Sequence, residues 1–118
     1  MVHGNTWPWE NSYVHEFGFF AGRAVQKLVR DLNSSDRDIV LGALRAHRDE
    51  LLQLSSAMHD QREKVEVLMR APQFDRKAME DSFAEMRKRG DDMQAALGAA
   101  ILDAIEKLPP DARQRLGK

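Results

Sequence analysis

Histidines are the residues best suited to bind a metal ion in this chain of 118 residues, which contains four histidines and no cysteine. His15 is followed directly by Glu16, so an imidazole and a carboxylate could together bind a divalent transition metal such as Zn, Ni, Co or Cu. The alternative is a single solvated histidine on the surface of an amphipathic helix. His15 and Glu16 are therefore the first candidate metal ligands.

His47 is the third candidate, because it occupies a position in a repeating apolar pattern. It could be a core histidine hydrogen-bonded across a helical hairpin, a metal ligand, or a switch that titrates near neutral pH. His59 lies twelve residues farther on, which places it roughly 120° away around one helix. The two histidines cannot share a metal within one straight helix, although a dimer could bring copies together.

Catalysis and nucleic-acid binding find no support in the residues. The chain lacks a cysteine nucleophile, a phosphate-cradling glycine loop and a nucleophile elbow. Its 18 basic and 19 acidic residues are interspersed and give a net charge of -1, whereas a nucleic-acid binder needs a basic face. We therefore expect a protein that is not an enzyme and has no nucleic-acid partner.

Two long helices must position the histidines. The first arm, from about Asp36 to Ala71, carries a row of mostly apolar residues spaced alternately four and three apart, which we call the seam: Val40, Leu44, His47, Leu51, Leu54, Met58, Gln61, Val65 and Leu68. The second arm, ending near Lys107, repeats this spacing with Met79, Phe83, Met86, Gly90, Met93, Leu97, Ile101 and Ala104. Such spacing is typical of coiled-coil packing and predicts an antiparallel hairpin.

The turn between the arms is predicted at Ala71-Pro72-Gln73-Phe74. Pro72 has no amide hydrogen to donate and disfavours helix at Ala71, so the first arm should stop there. Asp75 is then expected to cap the second arm. Within that arm, Gly90 could permit close helix approach or a bend, and the methionine repeat is expected to fill the core.

The remaining elements complete an all-α fold with one domain, residues 12–118, after a flexible segment, residues 1–11. A first helix should begin at Asn11 or Ser12 and run to about Leu32, and a short last helix should span residues 111–116. Ser35, Asn33 or Ser34 could cap the first arm. Six of the eight aromatic residues fall within residues 7–20, more than one helix face can bury. We therefore expect a homodimer formed through this helix or the hairpin flank, with four-helix-type packing.

The order of these motifs resembles that of a known family, the bacterial periplasmic heavy-metal resistance and sensor proteins, which are similar to the CpxP and ZraP group. The likeness covers about residues 13–116. Its residues are Gly22-Arg23, Leu28, Leu32-Asn33-Ser34-Ser35-Asp36-Arg37, Leu44-Arg45-Ala46-His47-Arg48, Phe74-Asp75-Arg76-Lys77-Ala78-Met79 and Leu108-Pro109-Pro110-Asp111-Ala112-Arg113.

This resemblance implies a hooked helical hairpin, usually dimeric and exposed to the periplasm, often tethered by an N-terminal membrane helix that would lie upstream of Met1. Cobalt- and nickel-sensing members carry a His-x-x-x-His pair on the first helix and a histidine and a methionine near the end of the second arm. Here the first pair is His15-x-x-x-Phe19, and the second falls on Ala100 and Ala104. One of the four ligands is present.

The function that the resemblance implies is that of a periplasmic heavy-metal sensor or resistance accessory protein, which acts by binding. A metal or a misfolded protein would alter the dimer and its contact with a membrane-bound signalling partner. One alternative is a metal-independent periplasmic chaperone or envelope-stress adaptor that holds client segments on a concave surface. The other is a cytoplasmic coiled-coil interaction module.

Overall fold

The computed structural model describes residues 8–117, so His3, Trp7 and most of the predicted flexible segment, residues 1–11, lie outside the described residues. Within this range the chain forms helices and no strand: α1 (Pro8–Phe17), α2 (Phe19–Val29), α3 (Ser34–Arg45), α4 (Arg48–Arg70), α5 (Arg76–Glu106) and α6 (Pro110–Leu116). The predicted all-α class is confirmed. None of these helices is both long and apolar enough to cross a membrane.

The predicted hairpin is formed by α4 and α5. Ala71 adopts an extended conformation in front of Pro72 and ends α4, and the Asp75 side chain accepts a hydrogen bond from the Ala78 amide at the start of α5. The turn at residues 71–75, which we call the elbow, is therefore where the sequence predicted it. The molecule measures 57 × 38 × 26 Å, and its radius of gyration is 17.5 Å. A compact chain of this length would have about 13 Å.

Side-chain hydrogen bonds, as well as apolar packing, join the two arms. The buried Gln61 amide donates to the Ser82 carbonyl at 3.0 Å, and Arg89 Nη1 donates to the Ala57 carbonyl at 2.7 Å. Arg89 also donates to Glu85 at 2.8 Å and thereby lowers the pKa of that carboxyl. These bonds fix the register of the arms along the half of the hairpin nearest the elbow.

The first arm is not one continuous helix, and that part of the prediction was wrong. α3 ends at Arg45 and α4 begins at Arg48, with His47 at a φ of -103° and a ψ of 4° between them. The amides of Ala46 and His47 bond to carbonyls three residues back, which closes α3 with a tighter turn. The bend leaves Leu44 and Leu51 fully buried on either side of it.

The predicted first helix is also broken, at Gly18. This glycine has a φ of +92°, a conformation that residues with a Cβ rarely adopt, and it separates α1 from α2. α1 begins at Pro8 rather than at residue 11 or 12, and α2 ends at Val29 rather than near Leu32. The break lets α1 fold back on α2 and also pack on α4.

Most of the core lies at the end of the molecule away from the elbow. Its buried residues are Tyr13, Phe17, Ala21, Val25, Val29, Leu32, Val40, Leu41, Ala43, Leu44, Leu51, Met93, Leu97, Ala100, Ala104, Leu108 and Ala112. The methionine repeat fills the core only in part: Met93 lies in this core, Met79 is buried outside it nearer the elbow, and Met86 is half-buried. The seam prediction was wrong for Phe83, which is 44% exposed. For Gly90, a Cβ built at this position meets nothing within 4 Å, so the first of its two alternatives, close helix approach, is excluded.

Asn33 caps α3, because its side-chain oxygen accepts a hydrogen bond from the Asp36 amide at 2.8 Å. We expect Asn33→Ala to lower the free energy of unfolding by about 1 kcal/mol, the typical cost of losing such a cap. Ser35→Ala is the matched control, since Ser35 was, with Ser34, one of the other candidates from the sequence and is exposed. Urea unfolding followed by circular dichroism would measure both, and equal losses would contradict the assignment of the cap to Asn33.

Candidate functional site

His47 lies at the break between α3 and α4 and reaches across to α5. Its Nε2 is 2.8 Å from Oδ2 of Asp103, and its Nδ1 is 4.0 Å from Oε1 of Glu50 on the first turn of α4. The imidazole is 24% exposed, so it is neither a core residue nor a freely solvated one. The hydrogen bond across the hairpin that the sequence suggested for His47 is present.

The helix positions determine where the side chains of His47, Asp103 and Glu50 lie. His47 precedes the first residue of α4, and its carbonyl accepts from the Leu51 amide at 3.0 Å, which anchors the start of that helix. Asp103 is next to Ala104, whose buried side chain faces the core. Glu50 follows His47 by three residues, a spacing that brings two side chains to one face of a helix.

The two ring nitrogens of His47 have different roles in this arrangement. An ionised carboxylate only accepts hydrogen bonds, so the contact with Asp103 requires a proton on Nε2. In the neutral ring Nδ1 then carries the lone pair, and it faces Glu50. Histidines that bind metals generally donate their other ring N–H to a carboxylate, which fixes the tautomer and the ring orientation. In this arrangement Nδ1 of His47 and the Glu50 carboxylate face each other at 4.0 Å, and Asp103 holds the opposite ring nitrogen.

The first predicted pair, His15 and Glu16, is arranged differently. Glu16 accepts two hydrogen bonds from Arg45, at 2.6 and 3.2 Å, and Arg48 Nη1 lies 3.5 Å away. The bond to Glu16 raises the pKa of Arg45 above its ordinary value. His15 is exposed on α1. In this structure the Glu16 carboxylate joins α1 to the break between α3 and α4.

His59 forms a surface ion pair, with Nε2 2.6 Å from Oε1 of Glu63 one turn farther along α4, and both side chains are more than half exposed. Across the described residues, no group of three or more His, Cys, Asp or Glu side chains is placed to hold a metal ion. A metal at His47 would therefore have two protein ligands, and water or another molecule would complete its coordination.

Comparison with known proteins gives one match. A family model described as heavy-metal resistance matches residues 2–115, nearly the whole chain. No curated protein and no solved structure matches significantly.

Proposed function

From the premise that this chain belongs to the heavy-metal resistance family, we propose that it is a periplasmic accessory or sensor protein that acts by binding a divalent transition-metal ion. The family is a non-catalytic one and is generally extracytoplasmic. The ion is the ligand that the protein senses, and Zn, Ni, Co and Cu all suit imidazole and carboxylate donors.

The arrangement around His47 supports this proposal most strongly. Nδ1 of His47 and Oε1 of Glu50 are 4.0 Å apart, while Asp103 engages the opposite nitrogen. Two ligand atoms of a tetrahedral site, each about 2.1 Å from the ion, lie about 3.4 Å apart. Only a small movement of the exposed Glu50 side chain is therefore needed to admit a metal. His15 remains a second proposed ligand, but Glu16 would first have to leave Arg45.

Binding at this position would act on the shape of the molecule. His47 joins α3 to α4, and Asp103 belongs to α5, so an ion bound by the imidazole and Glu50 would hold the bend in one geometry. We propose that the protein works as a homodimer and that this bend alters the surface offered to a membrane-bound signalling partner. The ion can transmit a signal in this way only if it binds one geometry of the bend more tightly than a second geometry.

Isothermal titration calorimetry with each of the four metals tests the proposal. We expect binding near micromolar affinity that His47→Ala abolishes. Asp103→Asn should weaken it about tenfold or more, the usual effect of losing a carboxylate behind a metal-bound histidine. His59→Ala is the matched control, because His59 on α4 is also an imidazole beside a carboxylate, and its removal should leave the affinity unchanged.

The same titration can contradict the proposal in two ways. Binding that His15→Ala abolishes and His47→Ala does not would move the site to α1. An absence of heat with every metal would mean that the protein works without a metal, as a chaperone or signalling adaptor.

A further inference from the structure

A groove between α2 and α5, which we call the α2–α5 groove, is lined mainly by apolar side chains that the core leaves partly uncovered. Its apolar residues come from three helices and are all half-buried: Ala24, Leu28, Ile101, Ile105 and Leu116. α2 packs mainly on α1 and α4, and α5 packs mainly on α4 and α3. The two helices therefore face each other across the groove without packing closely, and α6 lies at one end of it.

The apolar surface continues beyond the groove on both helices. On α5, Leu102 follows Ile101 directly and is 68% exposed, more than any other large hydrophobic residue in the described part of the chain. On α2, Phe20 is 41% exposed and lies one helical turn before Ala24, on the same side of the helix. Groove and flanks thus form one apolar face, which we call the α2–α5 face.

The α5 side of this face is nearly free of charge. Residues 95–105 contain a single ionisable side chain, that of Asp103, and it bonds to His47. Asp103 is about 100° around the helix from Leu102, so this carboxylate lies to one side of the α2–α5 face. A helix face that stays in water normally carries charged residues. The composition of this stretch therefore suits a surface that a partner covers.

Three charged residues line the groove, and two of them lack a partner of opposite sign. Arg115 donates to the buried Asp36 at 3.3 Å. Lys27 and Asp31 are exposed, and neither is ion-paired with another residue in the described part of the chain. The charges available to a partner are therefore one cation and one anion.

A second copy of the chain meets these requirements. In a twofold contact the same surface is present on both sides, and residue i of each protomer meets residue j of the other. Lys27 and Asp31 lie on either side of Leu28 in the sequence, so a twofold axis beside Leu28 would bring Lys27 of each protomer to the partner's Asp31. An anionic lipid surface or a nucleic acid would instead require an excess of cations, which the groove lacks.

We propose that two copies of the chain associate through the α2–α5 face, with apolar contacts between the grooves and two reciprocal ion pairs of Lys27 with the partner's Asp31. This inference rests on the homodimer proposed above and adds its interface. Two helices from each protomer would give the four-helix packing expected from the sequence. The His47 site remains accessible, because Asp103 lies to one side of the face, and α5 connects that site to the interface.

Sedimentation equilibrium of the full chain tests the apolar part of the proposal. We expect the wild type to be a dimer. Leu102→Asp should weaken dimerisation about tenfold or more, because it places an unpaired charge in the apolar contact. Phe74→Asp is the matched control, since Phe74 is 67% exposed at the elbow, and it should dimerise as the wild type does. Circular dichroism would show that both variants fold.

Charge reversal tests the pairing. Lys27→Glu and Asp31→Lys should each weaken dimerisation several-fold, because each opposes two like charges across the axis. The double variant carrying both changes should dimerise as the wild type does, since the reciprocal pairs are restored with reversed signs. A merely local effect of either substitution would not be rescued in this way.

The outcomes separate the interface from the rest of the proposed function. A wild-type chain that stays monomeric at the concentrations used for calorimetry would overturn this inference and the homodimer, whereas the metal titration decides the metal site independently. A dimer that Leu102→Asp leaves intact would overturn the assignment of the interface alone. A double variant that dimerises no better than the single reversals would overturn the pairing of Lys27 with the partner's Asp31.

Discussion

Phe17→Ala is expected to lower the free energy of unfolding by about 4 kcal/mol, within the range for removing a fully buried phenylalanine. Phe17 has no exposed surface and is the largest of the fully buried side chains in the described part of the chain. It is the last residue of α1, so the cavity left by its removal would lie where α1 joins the core. Urea unfolding followed by circular dichroism would measure the change.

Phe19→Ala is the control for this substitution. It removes the same side chain two residues away, but Phe19 is 66% exposed and its ring lies 5.9 Å from the Arg23 guanidinium carbon. The loss should be about 0.5–1 kcal/mol, the size of an exposed cation–π contact. Similar losses for the two phenylalanines would show that α1 does not dock through Phe17.

Gly22→Ala is expected to cost about 3 kcal/mol, because it forces apart two backbones that the fold holds in contact. A Cβ at this position would lie 2.5 Å from the Cα of Val14 and 2.6 Å from the carbonyl oxygen of Tyr13. Both atoms belong to the backbone of α1, so no side-chain rotation relieves the overlap. In differential scanning calorimetry the variant should unfold at a markedly lower temperature.

Gly90→Ala provides the opposite result from the same chemical change. Gly90 is also within a helix, but its added Cβ would meet nothing within 4 Å. Alanine is favoured over glycine in a helix by up to about 1 kcal/mol, so this variant should be more stable than the wild type. Stabilisation by both substitutions would mean that α1 is not packed on α2 at Gly22.

The hairpin was predictable because its signals are local. Pro72 and Asp75 mark the elbow by backbone chemistry that depends on a few neighbouring residues, and the alternating spacing of the arms needs only the helical period. The break at His47 was not predictable in this way. Leu44, His47 and Leu51 keep the seam spacing across it, so the pattern continues although the helix does not. Gly18 did carry a signal, because it is a glycine between two phenylalanines. That signal does not distinguish a glycine that ends a helix from one inside a continuous helix.

The candidate site was predictable only in part, for a similar reason. His47 and Glu50 are three residues apart, so their proximity could have been deduced from helical geometry. Asp103 is 56 residues from His47, and only the register of α5 against the bend brings them together. Glu16 is paired with an arginine 29 residues away, which the sequence alone did not reveal.

The concentration of the core at one end has an evolutionary consequence. Between Met58 and Met86 the hairpin buries only Gln61, Val65 and Met79. This stretch therefore lengthens the molecule and adds little to its core. A matched insertion or deletion of seven residues in both arms would preserve the seam and leave the distant core untouched. The distance between the bend and the elbow is therefore a dimension that selection can lengthen or shorten without redesigning the fold.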